Sequence, residues 1–214
     1  YMVSLADTLR ANGEHDEALA LLREVLEERR GTLGDLHPST LSALSDLGVV
    51  LEYKGDLDGA ESVLREALSG QRKTPGGVNL DTLDTMYRLA RVLRTRGELD
   101  EAMALGQEAS ESPTDELTRG YICVYQIHHS RTLMELDRFD DAESLLNRAR
   151  AGLAMDSFSA RDSVETLAEA YNELYSRRHQ TQPGLGFDAK AATWRKSLEA
   201  MKDDPALPGA EILS

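Results

Sequence analysis

Four arginines, Arg88, Arg91, Arg94 and Arg96, fall within nine residues of a chain that is otherwise acidic, with 38 Asp and Glu against 24 Lys and Arg and a formal net charge of −14. A guanidinium presents a flat fork of N–H donors that grips a carboxylate or phosphate through two parallel hydrogen bonds. Such a cluster therefore either pairs internally or waits for an anionic ligand. Register predicts internal pairing for two of the four: Asp46 matches Arg88 and Glu52 matches Arg94 in the preceding copy of a repeated pattern. Arg91 instead faces Val49 on one side and Arg131 on the other, with Glu173 placed to relieve Arg131 if the pattern persists. Arg91 and Arg131, flanked by Arg88, His128 and Tyr87, are thus the candidate contacts for a protein or peptide partner carrying an acidic or phosphorylated segment.

Other chemistry is hard to assemble. No Walker loop, dinucleotide-binding glycine pattern, GxSxG elbow or HExxH occurs, so no catalytic, cofactor or metal residues are expected. His128 and His129 are adjacent, which turns them about 100° apart on a helix and prevents chelation by the pair. His129 takes the position of Leu5, Leu47 and Leu89 and reads as a core histidine. Acidic pairs such as Asp140-Asp141 stand at helix starts, where they serve the dipole. The acidic balance opposes binding to nucleic acid or to an anionic membrane. One cysteine, Cys123, allows no intramolecular disulfide and points to a reducing, cytoplasmic compartment. No run is long enough to span a bilayer and no signal peptide is visible.

The elements that must carry these residues are helices. In LSALSDLGVVLEYKGDLDGAESVLREAL, Leu44, Leu47, Gly48 and Leu51 share one helical face, and Ala60, Val63, Leu64, Ala67 and Leu68 share another. Between them Gly55 ends one helix and Asp56 caps the next. The unit recurs: GEHDEA from Gly13, GDLDGA from Gly55, GELDEA from Gly97 and DRFDDA from Asp137 place Ala18, Ala60 and Ala102 at 42-residue intervals and Ala142 at 40 residues further. A hairpin this small cannot bury its apolar face alone, so the copies stack. The expected fold class is all-α, a right-handed α-solenoid of about five antiparallel helix-turn-helix hairpins.

These residues resemble the tetratricopeptide repeat, with its small and large positions in order at Leu47, Gly48, Leu51, Ala60, Leu64 and Ala67. The 42-residue period and Leu36-His37-Pro38 before a first helix are similar to the kinesin-light-chain type. The resemblance covers roughly residues 1–153. It implies that the first helix of each pair lines a concave groove, which would receive Ser45, Asp46, Val49, Glu52 and Tyr53, then Tyr87, Arg88, Arg91, Arg94 and Thr95, then Ile127, His128, Arg131, Met134 and Glu135. The asparagine-rich groove of peptide-binding relatives is missing. ELY (Glu173–Tyr175) with FDAKAATWRKSL (Phe187–Leu198) is also similar to the tails of bacterial proteins that join a serine/threonine kinase to such repeats. A regulatory or substrate-recruiting arm of a signalling enzyme is therefore the alternative to a free-standing non-catalytic scaffold.

Repeats are expected near 1–34, 35–76, 77–111, 112–155 and 156–202, with a tail over 203–214. The first helix starts about one turn short of its counterpart at Pro38, so the chain reads as a fragment of a longer protein. Pro75-Gly76-Gly77 is expected to break the second repeat, and Ser112 to cap a long helix through Leu136 with Asp115 in its first turn. Gly106, at the place of Leu22, Leu64 and Leu146, marks a weak or bent spot. In the last hairpin Trp194 is expected at that same place and largely buried, and Lys190 where the small alanine belongs.

Overall fold

The computed structural model describes residues 2–74, 79–112, 118–154 and 161–203. The Pro75-Gly76-Gly77 break, Asp115, the start of the fifth first-helix near Asp156, and residues 204–214 of the tail lie outside them. Within them are ten helices: α1 (Met2–Ala11), α2 (His15–Leu33), α3 (Pro38–Tyr53), α4 (Leu57–Lys73), α5 (Leu80–Arg96), α6 (Leu99–Ser110), α7 (Arg119–Glu135), α8 (Phe139–Ala154), α9 (Arg161–Thr181) and α10 (Phe187–Asp203). The chain divides into two compact units, residues 1–105 and 106–214, and the division falls within α6 at Gly106.

Local chemistry sets the helix ends in the first unit. Pro38 opens α3, and the His37 side chain accepts a hydrogen bond from the Ser39 N–H. Asp56 accepts from the Gly59 N–H at 2.9 Å and caps α4. Gly55 and Gly97 leave their helices with φ of 81°, and Asp137 takes the same left-handed turn with φ of 57° in the second unit. Aspartate is among the few residues with a side chain that tolerate this region, so DRFDDA turns like its glycine-led counterparts.

In the first unit α3 packs against α2, α4 and α5. Ala18, Ala60 and Ala102 are all fully buried, as is Leu64. A Cβ on Gly48 would stand 2.6 Å from Leu64 Cγ, so the absence of a side chain there lets α3 and α4 close on each other. In the second unit α7 packs on α8 and α9, and α9 on α8 and α10. Its core gathers Ala142, Leu146, Leu167, Tyr171, Leu174 and Phe187.

Several details depart from the sequence reading. Helix α7 runs from Arg119, and the Ser112 hydroxyl donates to the Glu108 carbonyl; residues 113–117, which Ser112 was expected to cap, lie outside the described residues. Trp194 is packed against the core as expected, its indole lying flat on Tyr171 at 4.3 Å between centroids. The buried small residue of α10 is Ala191, one place after Lys190. Lys190 itself is exposed and reaches Glu143 at 3.4 Å.

Candidate functional site

On the first unit the expected contact residues share one face of α5. Arg88 bonds Asp46 of α3 at 3.0 Å, as register predicts, and Asp84 of its own helix at 2.6 Å. Burial pushes the Asp84 carboxyl up and Asp46 adds to this, against the pull of Arg88. Arg91 is not left facing Val49. Its Nη2 bonds Glu52 Oε2 at 2.5 Å, its Nη1 reaches the Tyr87 hydroxyl at 3.3 Å, and the guanidinium lies over the Tyr87 ring. Glu52 therefore pairs with Arg91, one turn earlier than the register match to Arg94. Burial works against the charged form of Arg91, but the Glu52 hydrogen bond overcomes it and holds the pKa above the ordinary arginine value.

Next to this pair Tyr53 is 54% exposed. Its ring is stacked by His15 at 5.8 Å, and the Arg10 guanidinium lies 5.2 Å from its centroid. Sequence reasoning placed Tyr53 on this face but missed the His15 and Arg10 partners that hold it.

On the second unit His128 and Arg131 are neighbours on α7, with Arg131 Nη1 3.2 Å from His128 Nδ1. Arg131 also meets Glu173 at 3.4 Å and Glu169 at 3.7 Å on α9, so Glu173 does relieve it. Three residues expected in the groove are instead buried: Ser45, which accepts from the Thr85 hydroxyl at 3.1 Å, Ile127 and Met134. A first helix is covered by its hairpin partner and by the next first helix as well, so its buried arc is wider than a two-helix hairpin requires.

His129 is 8% exposed, and its ring fills the space left by Gly106, whose Cβ would stand 3.0 Å from it. Ser110 Oγ lies 3.1 Å from His129 Nδ1 and 3.2 Å from the Gln107 carbonyl oxygen. Nε2 is buried with no hydrogen-bond partner. Burial lowers the pKa to about 4, Glu111 pulling it up and Arg138 pushing it down. Above pH 6.5 the ring is neutral in both folded and unfolded chains and titration costs nothing. As pH falls from about 6.5 to about 4, only the unfolded chain takes up the proton, so stability is lost through that window, by up to about 3 kcal/mol, and no further below it. Urea unfolding followed across that range should show the loss in the wild type and a flattened profile in His129→Leu. Identical profiles would show that the ring is solvated.

Sequence reasoning also missed a recurrent ion pair. Lys54 bonds Asp16, Arg96 bonds Asp58, and Arg178 bonds Asp140 at 2.7 Å, each across 38 residues. The acid is the Asp of the repeated GxxDxA pattern, and the base closes the first helix of the following repeat. A basic residue 38 positions after each motif Asp was the legible signal.

Among the described residues no cluster of His, Cys, Asp and Glu could hold a metal ion. No described helix is long and apolar enough to cross a membrane.

The tetratricopeptide-repeat family profile matches residues 1–73 and 50–114, more than half of the chain. The chain belongs to the tetratricopeptide-repeat family. Its helices resemble those of a solved point variant of nearly identical tetratricopeptide-like repeats from Podosopora anserina, described as a kinesin light chain. The identity is 21%, 95% of each chain is covered, and the TM-score is 0.73. BtubC (BKLC) from P. vanneervenii is similar at 17% identity over 88% of this chain and 74% of the other, with a TM-score of 0.63. YrrB, a tetratricopeptide protein with an unusual peptide-binding site, matches at 19% identity over 89% and 90% of the two chains, with a TM-score of 0.50. These likenesses show the tetratricopeptide fold. No curated protein matches the chain.

Proposed function

We propose that this chain is a non-catalytic scaffold whose first-helix faces bind segments of a partner protein, with Tyr87, Arg88 and Arg91 as contacts on the first unit and, separately, His128 and Arg131 on the second. The observation that carries the reading is the face formed by α3 and α5. There Tyr53 stands exposed between His15 and Arg10, and the Tyr87–Arg91 pair follows on the neighbouring helix. Aromatic and arginine side chains held in place by packed helices lose little freedom on binding and are the residue types that dominate interface energies. The peptide-binding site of YrrB gives a precedent on the same fold. An acidic segment suits the guanidiniums, although each already has an internal carboxylate partner, so affinity for a single such segment is modest.

Fluorescence anisotropy with labelled, end-capped peptides tests this. A Glu-Ala repeat peptide should bind the wild type more tightly than its Gln-Ala counterpart, and more so at low salt. Tyr53→Ala and Arg91→Glu should each weaken that binding at least several-fold. Equal affinity of all three proteins for both peptides would remove the reading.

A further inference from the structure

Arg91 is the arginine of this face whose guanidinium is incompletely used. Arg65, on α4 of the same unit, shows a filled fork: Nη1 and Nη2 both bond Glu101 at 2.6 Å, and Nε bonds Glu61 at 2.7 Å. Arg88 spends Nη1 on Asp46 and Nε on Asp84. Arg91 makes one bond to a carboxylate, through Nη2, while its Nε is buried without an acceptor. The Nε–Nη2 edge, which a carboxylate grips with two parallel bonds, is thus held by one oxygen of Glu52. A buried donor left unmet is costly, so this arrangement favours any carboxylate that can meet both donors.

We propose that Glu52 is a built-in competitor: it occupies Arg91 while the face is empty, and an Asp or Glu carboxylate of a partner segment displaces it and takes both Nε and Nη2. The proposal rests on the reading that this face binds a partner segment. The exchange replaces one carboxylate by another, so no proton or counter-charge is required, and Glu52, near the end of α3, is released toward solvent. Carboxylate is favoured over phosphate by the surroundings. Asp46 and Asp84 stand on Arg88, one turn away, and together with the released Glu52 they repel a dianion more than a monoanion. Competition also sets specificity: a neutral segment cannot displace Glu52, whereas an acidic one can.

The test is anisotropy titration of the full chain with the Glu-Ala peptide, its Gln-Ala counterpart and a phosphoserine-Ala version. Glu52→Gln keeps the side-chain shape, removes the competing charge, and should tighten Glu-Ala binding about tenfold. Asp46→Asn, which removes one of the two carboxylates on Arg88 and leaves Glu52 on Arg91, should leave that affinity within about twofold, and Glu52→Gln combined with Arg91→Gln should abolish the gain. Thermal melts monitored by circular dichroism confirm that each variant is folded before titration. Equal Glu-Ala affinities for wild type and Glu52→Gln would overturn the competitor while leaving the binding face intact. No Glu-Ala binding by either protein would overturn both. Tighter binding of the phosphoserine peptide than of the Glu-Ala peptide by Glu52→Gln would overturn the preference for carboxylate.

Discussion

Replacing Tyr171 by alanine is expected to destabilise the second unit by about 3–5 kcal/mol. The side chain is 1% exposed and stands between the rings of Trp194, at 4.3 Å and nearly parallel, and Tyr175, at 6.0 Å. Its hydroxyl donates to Asn147 Oδ1 at 2.7 Å, and burial pushes its pKa up to about 12. Truncation removes the surface on which the half-buried indole rests and opens a cavity between α8, α9 and α10. Trp194 is the only tryptophan, so its emission reports on this place alone. A red-shifted emission with a fall in the melting midpoint is the expected result for Tyr171→Ala. Tyr171→Phe keeps the stack, loses one hydrogen bond and should cost about 1 kcal/mol. An unshifted emission with an unchanged midpoint in Tyr171→Ala would mean that the aromatic stack does not hold the last hairpin.

In the first unit the position that matches Trp194 is Leu64, fully buried against Gly48. Leu64→Ala should cost about 2–5 kcal/mol, the spread reflecting how far α3 can move into the space. Gly48→Ala alone places a methyl group 2.6 Å from Leu64 Cγ, and the resulting overpacking costs about 1–3 kcal/mol, offset in part by the better helix propensity of alanine. In the Leu64→Ala background that methyl enters vacated space, so the double variant should be more stable than the sum of the single effects implies. Chemical denaturation of the four proteins gives the coupling directly. Strict additivity would place Gly48 and Leu64 apart.

The hairpins were legible in the sequence because their signals are local: a helical face in each half, a Gly-Asp turn between them, and His37-Pro38 at a start. Positions that depend on a third helix were not. Ser45, Ile127 and Met134 read as groove residues from hairpin geometry alone, and the adjacent first helix buries them. Glu52 was aligned with Arg94 by residue number, whereas its carboxylate bonds Arg91. His129 was correctly placed in the core, but the contact of its Nδ1 with Ser110 and the unpartnered Nε2 depend on how α6 and α7 pack, which spacing does not encode.

The ion pairs between Asp16 and Lys54, Asp58 and Arg96, and Asp140 and Arg178 have a consequence for how such a chain lengthens. Each joint is made of an acid contributed by one copy and a base contributed by its successor. A copy inserted by duplication brings a base that fits the acid before it and an acid that fits the base after it. Deletion of a copy likewise brings a matching acid and base together again. The joints are directional, like head-to-tail couplings, so a copy inserted in reverse order would match nothing. Arrays built this way can change length in descent without inventing new contacts, and the face presented to partners can then diverge independently of the couplings that hold it.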